Sequence, residues 1–132
     1  MTGPSAATAP ASPAAATAAA PSNDPPATRY GDLLFLSGQI ATAAQNSSAV
    51  TGTIEQQTNA VMEKIGTILE SHRLTLANVL HVTIHLTDLG DLSAMDAAYQ
   101  KHFRSNLPAR TVVAVAGLPR GALVQISVQA GR

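Results

Sequence analysis

The sequence predicts an α+β domain in which two helices pack on one face of a single sheet. Three observations predict it: two segments repeat apolar residues at helical spacing, several short apolar runs lie between turn signals, and their order reads β-β-(β)-α-β-α-β-β. The first run, Leu33-Leu34-Phe35-Leu36, stands between Gly31-Asp32 and Ser37-Gly38, as a buried strand between turns does. Thr28 and Tyr30 begin a preceding hairpin strand, with Gly31-Asp32 as its turn. Residues Ala41 to Gly52 are small and polar, which predicts a loop with room for one short strand. Thr53-Ile54-Glu55-Gln56 then has the form of a capping box, and Thr58, Val61, Met62, Ile65, Ile68 and Leu69 form the apolar stripe of a helix ending near Ser71 to Arg73.

Val79 to Leu86 favours a strand with Leu80, Val82, Ile84 and Leu86 on one face and His81, Thr83 and His85 on the other. Asp88 to Asp91 turns the chain and offers Asp91 as an N-cap. Leu92, Met95, Ala98, Tyr99 and Phe103 mark the second amphipathic helix. Thr111 to Ala116 and Leu123 to Ala130 are the final strands, connected through Gly117-Leu118-Pro119-Arg120-Gly121. Both carry apolar residues at nearly every position, so the face away from the helices is expected to be buried against another subunit.

Composition bounds the rest. From Met1 to Ala27 the chain is almost all Ala, Pro, Thr and Ser, with Asp24 its one charged side chain; such a segment buries too little apolar surface to offset its ordering entropy and reads as a disordered tail (1–27) before a domain at 28–132. It lacks the basic start and apolar centre of a signal peptide and the arginines of a transit peptide, so a cytoplasmic location is expected. No apolar run is long enough to span a bilayer. The absence of cysteine removes disulfides, thiolate metal sites and thiol nucleophiles. With net charge zero, no basic run, no Trp, two Phe and two Tyr, nothing supports nucleic-acid or anionic-membrane binding. A domain of this size gains buried area most readily by oligomerisation.

Among candidate functional residues, Arg110 stands out. Pro108 blocks further helix, and Pro108-Ala109-Arg110 sets the guanidinium at the start of a strand, where a planar fork of donors suits a carboxylate. The tripeptide alone leaves two readings open, an anion clamp and an ion-paired surface arginine. Ser37 has no G-x-S-x-G elbow and no evident base, which favours a turn or cleft-lining role over a nucleophile. His81 and His85, four residues apart on a strand, would be about 13 Å apart, too far to share a metal ion within one subunit. His72 and His102 fall near helix C-termini, where a cation is favoured.

With the elements placed, the chain resembles the RidA/YjgF family of enamine/imine deaminases. The matching stretches are Leu34 to Ile40 (LFLSGQI), Gln57-Thr58, Val82 to Asp88 (VTIHLTD), Met95 to Tyr99, Pro108 to Thr111 (PART), and Leu118-Pro119 followed by VQISVQA. The resemblance implies a chorismate mutase-like fold, a homotrimer whose sheets line a central barrel, and ligand clefts between subunits. It implies hydrolytic deamination of small carboxylate-bearing imines or enamines to keto acids and ammonia, with no cofactor because the imine itself is the electrophile. By resemblance Arg110 grips the carboxylate, the backbone at Gly38 and Ser37 lines the cleft, and Gln125 stands where the family has a water-activating glutamate. Asp96 replaces an asparagine, Val112 a frequent cysteine, and Ser22 to Pro26 lacks the family's pocket-closing tyrosine. An amide can orient a water but cannot take its proton near neutral pH, so a trimer that binds small carboxylates without turnover, or a diverged enzyme of specialised metabolism, are the alternatives.

Overall fold

Seven main elements follow one another in the computed structural model, which describes residues 25–42 and 49–132. The predicted tail up to residue 24, and residues 43–48 of the predicted loop, lie outside the described residues. Strands β1 (Ala27–Tyr30) and β2 (Leu33–Gln39) precede helix α1 (Ile54–Ser71); β3 (Val79–Leu86), helix α2 (Leu92–Gln100), β4 (Ala109–Ala114) and β5 (Val124–Gly131) follow. They form one mixed sheet in the order β1-β2-β5-β3-β4. All neighbours are antiparallel except β3 and β4, whose parallel pairing requires a crossover, and α2 supplies it. The predicted fold class holds. No additional strand occurs between Ala41 and Gly52 among the described residues.

The β1–β2 hairpin turns at Gly31, whose φ of +59° lies in the left-handed region that glycine enters without steric cost. At the start of α1 the capping box is complete: Gln56 N–H donates to Thr53 Oγ1 at 3.1 Å, and Thr53 N–H donates to Gln56 Oε1 at 2.9 Å. The stripe Thr58, Val61, Met62, Ile65 and Leu69 then packs onto the sheet. One polar residue is buried with it for a reason that bears on the site. The Gln57 amide donates to Gly52 O at 3.0 Å and accepts from Leu123 N–H at 2.9 Å, so the first turn of α1 fixes the chain just before β5.

Five expectations need correction. Leu80 does not face the core: a register shift between Val79 and His81 turns it outward, 52% exposed, and Val79 takes the buried place. Asp91 makes no capping hydrogen bond; Asp88 Oδ1 instead accepts from Gly90 N–H at 2.8 Å and caps the 3₁₀ turn Leu89–Asp91 that leads into α2. Helix α2 stops at Gln100 rather than reaching Phe103. His102 and Phe103 make i to i−3 bonds to Tyr99 and Gln100, the tightened last turn that satisfies carbonyls at a helix end, and Phe103 still packs on Tyr99 at 5.0 Å. Strand β4 runs from Ala109 to Ala114, two residues earlier than expected at each end.

The last correction concerns the uncovered face of the sheet. On β5, Val124, Ile126, Val128 and Ala130 are buried under the helices while Gln125, Ser127 and Gln129 point the other way, a clean alternation rather than two apolar faces. That outer face is mixed, with Leu33 and Phe35 of β2 and Val113 of β4 beside Thr83, Ser127 and Gln129. No helix among the described residues is long and apolar enough to cross a membrane.

Candidate functional site

The residues singled out by sequence fall into two groups at opposite ends of the sheet. Arg110 lies near the start of β4, beside Val82 of β3. Paired residues of neighbouring strands share a face, and Val82 is buried, so Arg110 leans to the helix side. There its Nη1 donates to Asp96 Oδ1 of α2, and its guanidinium carbon lies 5.2 Å from the centre of the Tyr99 ring. Both partners of the ion pair keep about a quarter of their side-chain surface in solvent, 27% each. Val112, one step along the same face, packs against the core.

Tyr99 is the floor of this group. Burial pushes its phenol up to about 12, with the Arg110 charge opposing that rise and the Asp96 charge adding to it. Its hydroxyl has no hydrogen-bond partner among the described residues. Both readings of Arg110 left open by the tripeptide therefore meet in one geometry. The arginine is ion-paired within its own chain, yet its fork is partly exposed at an edge strand over an aromatic face, where an anionic ligand could reach it.

The second group gathers at the other end, on the uncovered face. Gln125 of β5 lies over Gly38 of β2 so closely that a Cβ on residue 38 would stand 2.7 Å from Gln125 Cδ and 3.0 Å from Nε2. A side chain at residue 38 would have to push the flexible end of Gln125 aside. Gln125 Oε1 lies 3.0 Å from His85 Nδ1 on β3, its register partner. A carbonyl oxygen only accepts, so His85 Nδ1 donates. Ser37 is occupied otherwise: its hydroxyl donates to Pro25 O at 2.7 Å and its N–H to Pro26 O at 3.0 Å, pinning the start of the described chain. That is a turn role rather than a nucleophile's. Lys64 holds the segment after β2 by donating to Ile40 O at 3.1 Å and Thr42 Oγ1 at 2.9 Å; burial, then the nearby Arg120 charge, lowers its ammonium below the usual lysine range.

His85 is the residue that sequence reasoning left out of the site. Its signal was available only through register, since Gln125 and His85 become neighbours once β5 and β3 pair. His81 contacts Thr111 at 3.3 Å instead, and among the described residues no group of three or more His, Cys, Asp or Glu could hold a metal ion.

A single chain does not bring the two groups together. Arg110 is level with Val82 and Gln125 with His85, three residues or about 10 Å further along β3, and they point to opposite faces. Each chain thus carries a cationic half-site on one side and a glycine-amide-imidazole half-site on the other.

The profile of the family described as Endoribonuclease L-PSP matches residues 12–131. The chain belongs to the RidA/YjgF (Endoribonuclease L-PSP) family. It is 37% identical over 100 residues to a RutC family protein of Pyrococcus horikoshii, covering 76% of this chain and 79% of the relative. It is 30% identical over 97 residues to human 2-iminobutanoate/2-iminopropanoate deaminase, covering 74% and 71%. Among solved structures, RidA from the Antarctic bacterium Psychrobacter sp. superposes with a TM-score of 0.80 at 28% identity, covering 86% of this chain and 92% of the other. E. coli TdcF with bound serine does so with a TM-score of 0.78 at 25% identity, covering 86% and 91%. The five-stranded mixed sheet with two helices is the fold of these RidA/YjgF structures.

Proposed function

We propose that this RidA/YjgF protein hydrolyses small carboxylate-bearing imines or enamines to keto acids and ammonia, in clefts completed by a second copy of the chain. The observation that carries the reading is the division of the site: Arg110 on one face and Gly38 with Gln125 on the other can meet only across an interface between copies. In the homotrimer that the family resemblance implies, Arg110 of one copy grips the ligand carboxylate with its planar fork while Gly38 of the next admits the ligand close to its backbone and Gln125 orients a water. The mixed outer face, with Leu33, Phe35 and Val113 exposed in one chain, gives the copies an apolar surface to share. The imine carbon is the electrophile, so the reading calls for no cofactor. The human relative's name, an iminobutanoate deaminase, supports the reaction class, and the serine bound to TdcF supports a ligand with carboxylate and amino nitrogen.

Ammonia release from freshly generated 2-iminobutyrate or 2-aminoacrylate tests it. Release above the uncatalysed rate is expected from the wild type and not from Arg110→Ala. A rate equal to buffer alone would overturn the reading.

A second reading, a trimer that binds small carboxylates without turnover, is favoured by two features: Asp96 already neutralises Arg110, and the family's glutamate is here the amide of Gln125. Binding of 2-ketobutyrate with no ammonia release would decide for it. Turnover confined to other imines would instead mark a diverged enzyme of specialised metabolism.

A further inference from the structure

We infer that the imidazole of His85 is the proton acceptor of this site, taking over at Nε2 the step that Gln125 cannot perform. This inference rests on the imine-hydrolysis reading above. Four observations carry it. Gln125 Oε1 accepts a hydrogen bond from His85 Nδ1 at 3.0 Å, which places the proton of the neutral ring on Nδ1 and leaves the lone pair on Nε2. Nε2 has no hydrogen-bond partner among the described residues. The Gln125 side chain occupies the space that a Cβ on Gly38 would need, with its amide nitrogen on the glycine side and its oxygen toward the histidine. The ring is half-buried at the uncovered face, next to Gln125.

The chemistry follows from the tautomer. Water hydrogen-bonded to His85 Nε2 gives up a proton to it as the water oxygen attacks the imine carbon; the C=N π pair moves onto nitrogen, which is protonated as the iminium. The resulting carbinolamine nitrogen then takes the proton back from the imidazolium. The C–N bond breaks, its electrons leave with ammonia, and the carbinol O–H proton passes to solvent as C=O forms. The sum is imine plus water to keto acid plus ammonia, with no further reactant. Gln125 is then a positioning residue: it fixes the ring and its tautomer, as a carbonyl partner does for catalytic histidines.

Charge around the ring does not compete with this role. His85 is faced by Gln125 from β5 and Val113 from β4. On its own strand Thr83 is the next residue on that face, and His81 lies about 13 Å along. β2 is separated from the ring by β5, with Gly38 beside Gln125, and Asp88, past the strand end, has its carboxylate turned to Gly90 N–H. No carboxylate or ammonium among the described residues stands on the outer face of β2, β3, β4 or β5.

The test compares wild type, His85→Gln, His85→Phe and the double variant His85→Gln/Gln125→Glu, assayed for ammonia release from freshly generated 2-iminobutyrate across a series of pH values. His85→Gln is expected to lower kcat by about 100-fold or more, the usual worth of general-base help, and to remove the acid limb of the pH profile, with 2-ketobutyrate affinity unchanged. Adding Gln125→Glu is expected to restore at least about tenfold, because the carboxylate supplies the missing base. Ammonia release by the wild type with equal kcat and an unchanged pH profile in both single variants overturns the base and leaves the deaminase reading standing. No release by the wild type overturns both. Should the variants fail to fold, nitrogen-15 NMR of the wild-type imidazoles decides: the proton is expected on His85 Nδ1, and a neutral ring protonated on Nε2 overturns the inference.

Discussion

The two half-sites are built on the same sheet and differ in what holds them. The Arg110 group is electrostatic: a guanidinium between a carboxylate and an aromatic ring, all supplied by β4 and α2 of one chain. The Gly38 group is steric and hydrogen-bonded: an amide laid over a glycine and tied to an imidazole across β2, β5 and β3, with no net charge when the ring is neutral. The first can bind an anion but offers no group suited to handling a proton, since the Tyr99 phenol is buried and pushed up to about 12. The second carries an amide and an imidazole, the groups proposed to orient and deprotonate a water, but has nothing to grip a carboxylate. The two groups lie on opposite faces of one sheet, so on the reading proposed above binding and chemistry are joined only by a second copy of the chain.

The comparison breaks most visibly at the clamp. Arg110→Ala should abolish 2-ketobutyrate binding by calorimetry while leaving the assembly intact, and Arg110→Lys should recover only part, because an ammonium cannot reproduce the bidentate fork. Equal affinity in wild type and Arg110→Ala would remove the arginine from the site. On the other half, Gln125→Glu should raise imine-hydrolysis turnover about tenfold, below the full range for general-base help because His85 already offers a base and Asp96 still occupies the clamp. No gain in a variant that assembles and binds would mean that a carboxylate at this position takes no part in the proton transfer.

Gly38→Val should lower turnover about tenfold or more with little loss of thermal stability. Its side chain meets the flexible end of Gln125 rather than backbone, so Gln125 swings outward into the cleft instead of the sheet yielding. Asp96→Asn should tighten keto-acid binding severalfold, since the ligand no longer displaces an internal carboxylate from Arg110. Unchanged affinity would show that the ligand joins the ion pair rather than competing with it.

The smallest effect concerns Tyr99. Its phenol holds its proton up to about 12 in the folded chain against the ordinary 10.0, so the linked stability is complete below about pH 10 and is lost as pH rises through about 12. Tyr99→Phe should flatten that alkaline decline. At neutral pH it should leave stability unchanged or raise it by about 1 kcal/mol, because the buried hydroxyl has no partner.

Much of this was legible in the sequence because local chemistry decided it. The Thr53–Gln56 capping box, the Gly31 turn and the α1 stripe appear where their residues predict them. Features set by pairing were not legible. The outward turn of Leu80 comes from a register shift, the transfer of capping from Asp91 to Asp88 from a 3₁₀ turn, and the polar outer face of β5 from placing Gln125, Ser127 and Gln129 in phase on a central strand. The same holds within the site. Arg110, Gly38 and Gln125 could be named from their stretches, but the Arg110–Asp96 pair needed the crossover of α2 onto β4, and the Gln125–His85 bond needed β5 beside β3.

Subunit complementation tests the central claim most directly. Arg110→Ala and Gly38→Val chains, the first expected to be inactive alone and the second strongly impaired, are co-expressed and purified as mixed assemblies, and ammonia release is measured. If, as proposed, the clamp comes from one copy and the glycine half-site from the next, random mixing leaves about a quarter of the clefts with both halves intact, and activity should return to about a quarter of the wild-type rate. Activity no higher than that of the two parents, in assemblies shown by mass to contain both chains, would place the whole site within one chain and contradict the account.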